Sequence, residues 1–243
     1  MLGKTNVKIK PNAKKPLDPV LENAKLLMHF NDSLYDATGK NTPTMYGTEQ
    51  YQAGKFDKAI YLNKSSCVKI PLTSELTLGE NDFTISGWYY HDDVWNNGCL
   101  FSFVHYVSSS YGWQGVQVWL GSSNGNIRFC CDTASNVKNR VDTTTNLKSK
   151  TWHHIALVRH GSTVTLYVDG QRASSLTVSG AVYQNASAIW RVGATNGRSS
   201  STTSTGLSEG WKGLIDEFII VNGLAVYTEN FTPPENPYAE VII

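Results

Sequence analysis

The residues with the clearest potential for chemistry are two adjacent carboxylates in an apolar segment near the end of the chain. The segment GLIDEFII (213–220) predicts a β-strand that carries Asp216 and Glu217 side by side. Successive side chains of a strand point to opposite faces, so alternation predicts Asp216 and Phe218 on one face and Glu217 on the other. A carboxylate among apolar neighbours is costly to desolvate unless it is paired or bound to a cation.

Other motifs for chemistry are scarce. The sequence contains no phosphate-binding Walker loop. His153 and His154 are neighbours on a predicted strand and cannot chelate one metal ion from the same face. The segment His91–Asp93 is interpreted as a polar turn, with a metal site as the alternative. Glu217 is expected to reach a surface lysine and receives no functional role.

Composition excludes several classes of protein. The chain has 243 residues, 40% apolar and 17% charged, so it can bury a sizeable core. The net charge of +1 and the pI near 7.7 give no indication of nucleic-acid binding by the folded domain. No stretch approaches the ~20 apolar residues of a membrane span, so no membrane partner is expected. The first residues lack the apolar core of a secretion signal. Synthesis in the cytoplasm without a cleaved leader is therefore expected, with Cys67, Cys99, Cys130 and Cys131 reduced.

Residues 1–22 differ from the rest of the chain. Three prolines interrupt any regular element, so this segment is predicted to be an extended arm. We expect the arm to contact a partner protein or a sister subunit, with a solvated tail or contact with nucleic acid as alternatives. The expected contact residues are its lysines, namely Lys4, Lys8, Lys10, Lys14 and Lys15.

From residue 23 onward the pattern is that of a β protein. The segment DFTISGWYYH (82–91) alternates, with Phe83, Ile85 and Tyr89 predicted on one face. Two strands, 152–159 and 163–168, are joined by a tight turn and form the clearest hairpin. About a dozen short strands with glycine- and serine-rich links predict a sandwich of two sheets over residues 23–243. Only short turns are expected near 73–78 and 224–227.

Five segments together resemble a known family. They are LLMHFNDSLYDATG (26–39), AGKFDKAIYL (53–62), FTISGWYY (83–90), WHHIALVRHGSTVTLYVDGQ (152–171) and GLIDEFII (213–220). In this order they resemble the laminin-G-like, concanavalin A-like lectin/glucanase superfamily. The resemblance implies an all-β jelly roll of two curved antiparallel sheets. The ending LAVYTENFTPPENPY (224–238) looks like the laminin-G-like modules of tailed-bacteriophage virion proteins.

The resemblance also implies a metal site. Relatives often hold a structural calcium ion between an aspartate of the final strand and oxygen atoms near the first strand and a following loop. The matching positions are Asp216, Asn31, Asp32 and Gly54. Calcium prefers carboxylate and carbonyl oxygens, so Ca²⁺ is the expected cofactor. The alternatives are that Asp216 pairs with a lysine or arginine, accepts backbone N–H bonds, or is exposed at a sheet edge.

Glucanases of this fold place glutamates and an aspartate on one strand at Glu-x-Asp-x-x-Glu spacing. That spacing is absent here, because Glu209 is followed by Gly-Trp-Lys-Gly and Asp216 and Glu217 are adjacent. The chain is therefore predicted not to be an enzyme, with a glucanase-like activity as the weaker alternative. Aromatic side chains on loops between strands are candidates for stacking on sugars. They are Trp95, Tyr106, Tyr111 and Trp113.

The function expected from the sequence is that of a surface-exposed virion protein. Its lectin-like domain would bind glycans, as part of a phage decoration, tail or fibre component. The competing hypothesis is a purely structural decoration subunit that is anchored by its arm to other virion proteins and binds no specific ligand.

Overall fold

Antiparallel strands provide nearly all of the regular structure. The computed structural model describes residues 18–92, 97–108, 110, 112–121, 125–134, 138–185, 188–196 and 207–239. Helix α1 spans Pro19–Asn23, and a 3-10 turn spans Ser74–Leu76, where a short turn was predicted. The strands are β1 (Ala24–Met28), β2 (Thr44–Tyr46), β3 (Tyr51–Ala53), β4 (Lys58–Asn63), β5 (Cys67–Pro71), β6 (Phe83–His91), β7 (Cys99–Ser108), β8 (Gly112–Leu120), β9 (Asn126–Cys131), β10 (Arg140–Asn146), β11 (Trp152–His160), β12 (Thr163–Val168), β13 (Gln171–Thr177), β14 (Ile189–Val192), β15 (Thr195–Asn196), β16 (Leu207–Ser208) and β17 (Lys212–Asn222).

Two large antiparallel sheets form the two layers of the fold. The eight-stranded sheet has the order β13-β12-β11-β6-β17-β4-β3, and β1 also pairs with β17. The seven-stranded sheet has the order β10-β9-β8-β7-β14-β5-β2. The predicted all-β sandwich of two antiparallel sheets is therefore confirmed for the described part of the chain.

The main core lies between the inner faces of the two sheets. Phe83, Ile85 and Tyr89 of β6 point into it, as the alternation predicts. The Phe103 and Trp190 rings lie 5.0 Å apart within the seven-stranded sheet. Each large apolar side chain that is buried in this way contributes about 1.5–3 kcal/mol to folding. All four cysteines are buried and free, as the composition predicts.

The beginning of the described chain is helical. Asp18 caps α1 by accepting a hydrogen bond from Val20 N at 2.9 Å, and proline at the first helical position suits a helix start. Leu21 is buried in a small apolar cluster with Leu27 and Ile219. The extended form predicted for residues 1–22 is therefore wrong for residues 19–22. Residues 1–17, which contain the five lysines of the arm, lie outside the described residues.

After β17 the chain crosses the outer face of the eight-stranded sheet, away from the core. In this C-terminal segment (223–239) the rings of Tyr227 and Phe231 stack at 3.5 Å with an interplanar angle of 4°. The two rings pack on a cluster that includes Val158 and Tyr167. Phe231 N also donates a hydrogen bond of 2.9 Å to the carbonyl oxygen of Gly170, in the turn between β12 and β13. The segment is thus joined to the sheet by both apolar and polar contacts.

We predict that Gly170→Ala destabilises the fold by about 2–5 kcal/mol, measured by urea denaturation. Gly170 has a φ of +75°, and a Cβ there would overlap the carbonyl oxygen of Phe231. Gly161 is the matched control, because it has a φ of +57° and no atom within 4 Å of the added Cβ. Gly161→Ala should cost only about 1–2 kcal/mol, the conformational strain alone. Equal losses for the two variants would contradict the close approach of the C-terminal segment.

Candidate functional site

Strand β17 changes its neighbour at the two carboxylates. One edge of β17 pairs with β6, while the other pairs with β4 over Lys212–Ile215 and with β1 over Phe218–Val221. Asp216 and Glu217 lie at the junction. The register with β6 shifts between Asp216 and Ile219, and Glu217 has a φ of +49°. These are the features of a β-bulge, which inserts an extra residue and bends the strand.

The bulge resets the alternation of side chains along β17. Ile215, Phe218 and Ile220 pack in the main core, whereas Ile219 packs in the outer cluster with Leu21. The prediction that Asp216 and Phe218 share one face is therefore wrong. The regular period of 2 holds on each side of the bulge but not across it, because the extra residue shifts all later side chains by one position.

Asp216 is a buried carboxylate with one oxygen in use. Its Oδ2 accepts a hydrogen bond of 2.9 Å from Phe56 N, in the loop before β4. Its Oδ1 is buried and has no hydrogen-bond partner among the described residues. Desolvation raises the pKa of Asp216 to about 7, against the opposing effect of the Phe56 N–H. A Cβ at Gly54 would lie 2.7 Å from Oδ2, so only glycine leaves room for this approach.

The residues predicted to bind calcium meet around the same loop. Asn31 Oδ1 accepts a hydrogen bond of 3.2 Å from Lys58 N, where the loop ends and β4 begins. Asp32 follows and is exposed, with a φ of +54°. The described residues contain no group of three or more His, Cys, Asp or Glu side chains that could hold a metal. The open Oδ1 of Asp216 fits a hard cation, with backbone carbonyls and water completing its coordination. The metal site stays a prediction.

Glu217 makes a buried ion pair that the sequence analysis missed. Its Oε1 lies 2.6 Å from His29 Nδ1, and its Oε2 accepts a hydrogen bond of 2.8 Å from Tyr238 N. The expectation that Glu217 reaches a surface lysine is wrong, because Glu217 is only 2% exposed and faces the end of β1. A histidine at the end of an apolar strand, in LLMHF, is the feature of the sequence that points to such a partner.

A row of aromatic side chains continues from this loop across the outer face of the sheet. The Nζ of Lys55 lies 4.2 Å from the centre of the Trp88 ring, and Trp88 contacts His154 at a ring distance of 5.2 Å. His154 in turn contacts the ring of Phe231 at 5.7 Å. Burial among these rings lowers the pKa of His154 to about 4, so its imidazole is neutral at physiological pH.

Two of the four aromatic residues predicted to contact sugars, Tyr106 and Trp113, belong to strands of the other sheet. Trp95 and Tyr111 fall outside the described residues. Tyr106 of β7 is paired in register with Trp113 of β8, so the structure brings these two positions together. Trp113 is half-buried, and its carbonyl oxygen accepts a hydrogen bond of 2.9 Å from Arg140 Nη2. Their role in ligand binding stays a prediction.

Comparison with known families assigns the fold. The family model described as the concanavalin A-like lectin/glucanases superfamily matches residues 63–228, more than half of the chain. The chain belongs to this superfamily. The match includes the bulged strand β17 and the hairpin of β11 and β12. No sequence of a curated protein matches the chain.

None of the described helices has the length and apolar character needed to span a membrane.

Two solved structures of similar fold are a domain of an arabinanase and the binding domain of a toxin. Domain 4 of AbnA, a GH43 extracellular arabinanase from Geobacillus stearothermophilus solved in complex with arabinotriose, is 21% identical with a TM-score of 0.61. That match covers 84% of this chain and 94% of the domain. The binding domain of Paraclostridial Mosquitocidal Protein 1 is 18% identical with a TM-score of 0.64, over 86% of this chain and 50% of that one. The present chain thus spans about half of the length of the toxin binding domain. At these identities the likeness shows the fold alone.

We predict that His29→Leu destabilises the protein by about 3–5 kcal/mol, because it leaves the buried Glu217 carboxylate without its ionic partner. Chemical denaturation at pH 7 measures this loss. His160→Leu is the matched control, since His160 pairs with Asp82 but its side chain is 68% exposed. The control should lose no more than about 1 kcal/mol, as is usual for surface pairs. Similar losses for both histidines would show that Glu217 does not depend on His29.

Asp216→Asn tests the environment of the bulge carboxylate in chelator-treated protein. The folded protein retains the Asp216 proton up to about pH 7, whereas the unfolded chain releases it near 3.8. The contribution of Asp216 to the free energy of unfolding is therefore complete below pH 3.8 and declines as the pH rises to 7. We expect Asp216→Asn to gain stability relative to the wild type across this interval, as measured by urea denaturation at several pH values.

The same variant tests the metal prediction. Calcium chloride at pH 8 should raise the melting temperature of the wild type but not that of Asp216→Asn, because the ion would bind the ionised carboxylate. Asp142→Asn is the control, as Asp142 is 63% exposed on the other sheet. A calcium effect that persists in Asp216→Asn would exclude Asp216 as a ligand.

Proposed function

We propose that this protein is a non-catalytic recognition module on the surface of a bacteriophage virion, and that its ligand is carbohydrate. The observation that carries the proposal is whole-domain similarity to domain 4 of the arabinanase, which was solved with arabinotriose. The match extends over 94% of that domain. A second similar structure, the binding domain of Botulinum Neurotoxin DC, was solved in complex with SialylT. Both neighbours support carbohydrate as the class of ligand.

The side chains on the central strands support binding rather than hydrolysis. Hydrolysis of a glycosidic bond needs two carboxyl groups on either side of the bond. On the outer face of the seven-stranded sheet, β7 presents Ser102 and Val104, and β8 presents Gly115 and Gln117. None of these four residues can act as an acid or as a carboxylate nucleophile. The two carboxylates that contact them accept hydrogen bonds from the protein, Glu209 Oε2 from Gln117 Nε2 at 3.2 Å and Asp132 Oδ2 from Gly115 N at 3.1 Å. We therefore propose a ligand-binding role without turnover.

The virion context of the proposal is supported by two segments of sequence. The ending LAVYTENFTPPENPY (224–238) resembles phage virion modules, and residues 1–22 carry the five lysines proposed to contact other virion proteins or sister subunits. We further propose that Asp216 holds a structural calcium ion, with oxygen atoms of Asn31, Asp32 and Gly54 as additional ligands. The ion would join the loop before β4 to the end of β1 and would take no part in chemistry.

A glycan array probed with the full chain tests this function. We expect binding to oligosaccharides, including arabino-oligosaccharides, and no release of reducing ends when the bound sugars are incubated with the protein. Silence on the array, together with tight assembly onto a virion, would favour the purely structural decoration subunit. Release of reducing ends would contradict the non-catalytic role. Heat-denatured chain is the control for adsorption to the array.

A further inference from the structure

A groove lies on the outer face of the eight-stranded sheet, between strands β11 to β13 and the C-terminal segment. Its volume is about 440 Å³, which falls in the range of sites for small-molecule ligands. It is separate from the aromatic positions of the seven-stranded sheet and from the loop at Asp216. The sequence analysis assigned it no role, because its two sides come from distant parts of the chain.

The floor of the groove combines apolar surface with hydroxyl groups. Val158 pairs in register with Thr165, and Tyr167 pairs with Arg172 on the neighbouring strand. Val158, Thr165 and Tyr167 are 2%, 9% and 3% exposed, so they form a closed base. A sugar ring carries both C–H groups and hydroxyl groups. A surface that combines apolar carbon with hydroxyl groups can therefore contact both.

The rim provides polar groups on both sides. Arg172 and Thr163 stand on the sheet side, and Glu229 and Thr228 stand on the C-terminal segment; all four are exposed. Guanidinium groups donate hydrogen bonds and carboxylates accept them, so a polyhydroxyl ligand between the two sides finds both kinds of partner. Arg172 and Glu229 line the same groove as Tyr167, one on each side.

The two sides of the groove are held in position by hydrogen bonds. Asn230 Oδ1 accepts a bond of 2.9 Å from Arg172 N, and Asn230 Nδ2 donates one of 3.0 Å to Gln171 Oε1. His160 Nδ1 lies 3.0 Å from Asp82 Oδ2 at one end of the groove. The groove is therefore formed before any ligand arrives, which lowers the entropic cost of binding.

We propose that this groove is a binding site for a neutral oligosaccharide. This inference rests on the proposed function. It adds where on the protein the carbohydrate binds and that the carbohydrate has no net charge. The positive charge of Arg172 is balanced by the negative charge of Glu229, and His160 is paired with an acid. A ligand with a net charge would be repelled by the like charge on one side of the groove, whereas a neutral sugar meets no such repulsion.

The test uses the neutral oligosaccharide that binds most tightly on the array, titrated into the full chain by calorimetry. The double variant Thr163→Val/Arg172→Ala should lower affinity about tenfold or more, because it removes hydrogen bonds to the ligand, one of them from a charged group. Thr144→Val/Lys148→Ala is the matched control, since both residues are exposed and lie outside the groove. The control should bind within about twofold of the wild type, which is the usual scatter for distant surface changes. All replaced residues are exposed, so the melting temperatures of the three proteins should agree.

Each result supports or overturns the inference. A selective loss in the groove variant supports it, and so does sugar density in the groove of a co-crystal. Unchanged binding by the groove variant, with a loss in Trp113→Ala, would place the ligand on the seven-stranded sheet and overturn the inference while the proposed function stands. Binding of sialylated oligosaccharides alone would overturn the argument from charge. Absence of any sugar binding would overturn the proposed function and this site together.

Discussion

The fold depends on a change of partner along one edge of β17. This strand pairs with β6 on one side and with β4 and then β1 on the other, so its middle has a point where one partner ends and the next begins. Backbone groups at such a point lose their regular partners and must be satisfied by side chains. Asp216 accepts a hydrogen bond from Phe56 N in the loop before β4, and Glu217 binds His29 just after β1. The apolar strand thus carries two adjacent carboxylates because each one binds the chain beside a different neighbouring strand.

The same strand determines where the C-terminal segment lies. Since β17 occupies the middle of the eight-stranded sheet, the chain that leaves it crosses the outer face instead of extending an edge. The Tyr227 and Phe231 rings cover Val158 and Tyr167, which would otherwise leave apolar surface in water. A groove remains between this cover and the outer face of strands β11 to β13. The proposed sugar site is therefore a consequence of how the fold covers its own outer face.

Local sequence patterns predicted the strands, whereas contacts between residues far apart in the chain could not be predicted from the sequence. The alternation of β6 and the hairpin of β11 and β12 were predicted because period and turn chemistry are local. The bulge was missed, because it depends on the exchange of β4 for β1 beside β17. Strand β13 (Gln171–Thr177) was missed, as serines and a half-exposed surface hide its period. Arg172 and Glu229 carried no recognisable spacing, since 56 intervening residues separate the two sides of the groove.

The buried titratable groups of the outer face also balance one another. Burial raises the pKa of Asp216 to about 7 and lowers that of His154 to about 4. Between these values the folded state holds an extra proton at Asp216, so this contribution to stability falls as the pH rises. At His154 the folded state lacks a proton that the unfolded chain binds below its usual value of 6.5, so this contribution rises with pH. The opposite slopes offset each other between about pH 4 and 6.5. Burial of an acid at Asp216 and of a base at His154 therefore changes stability with pH in opposite directions.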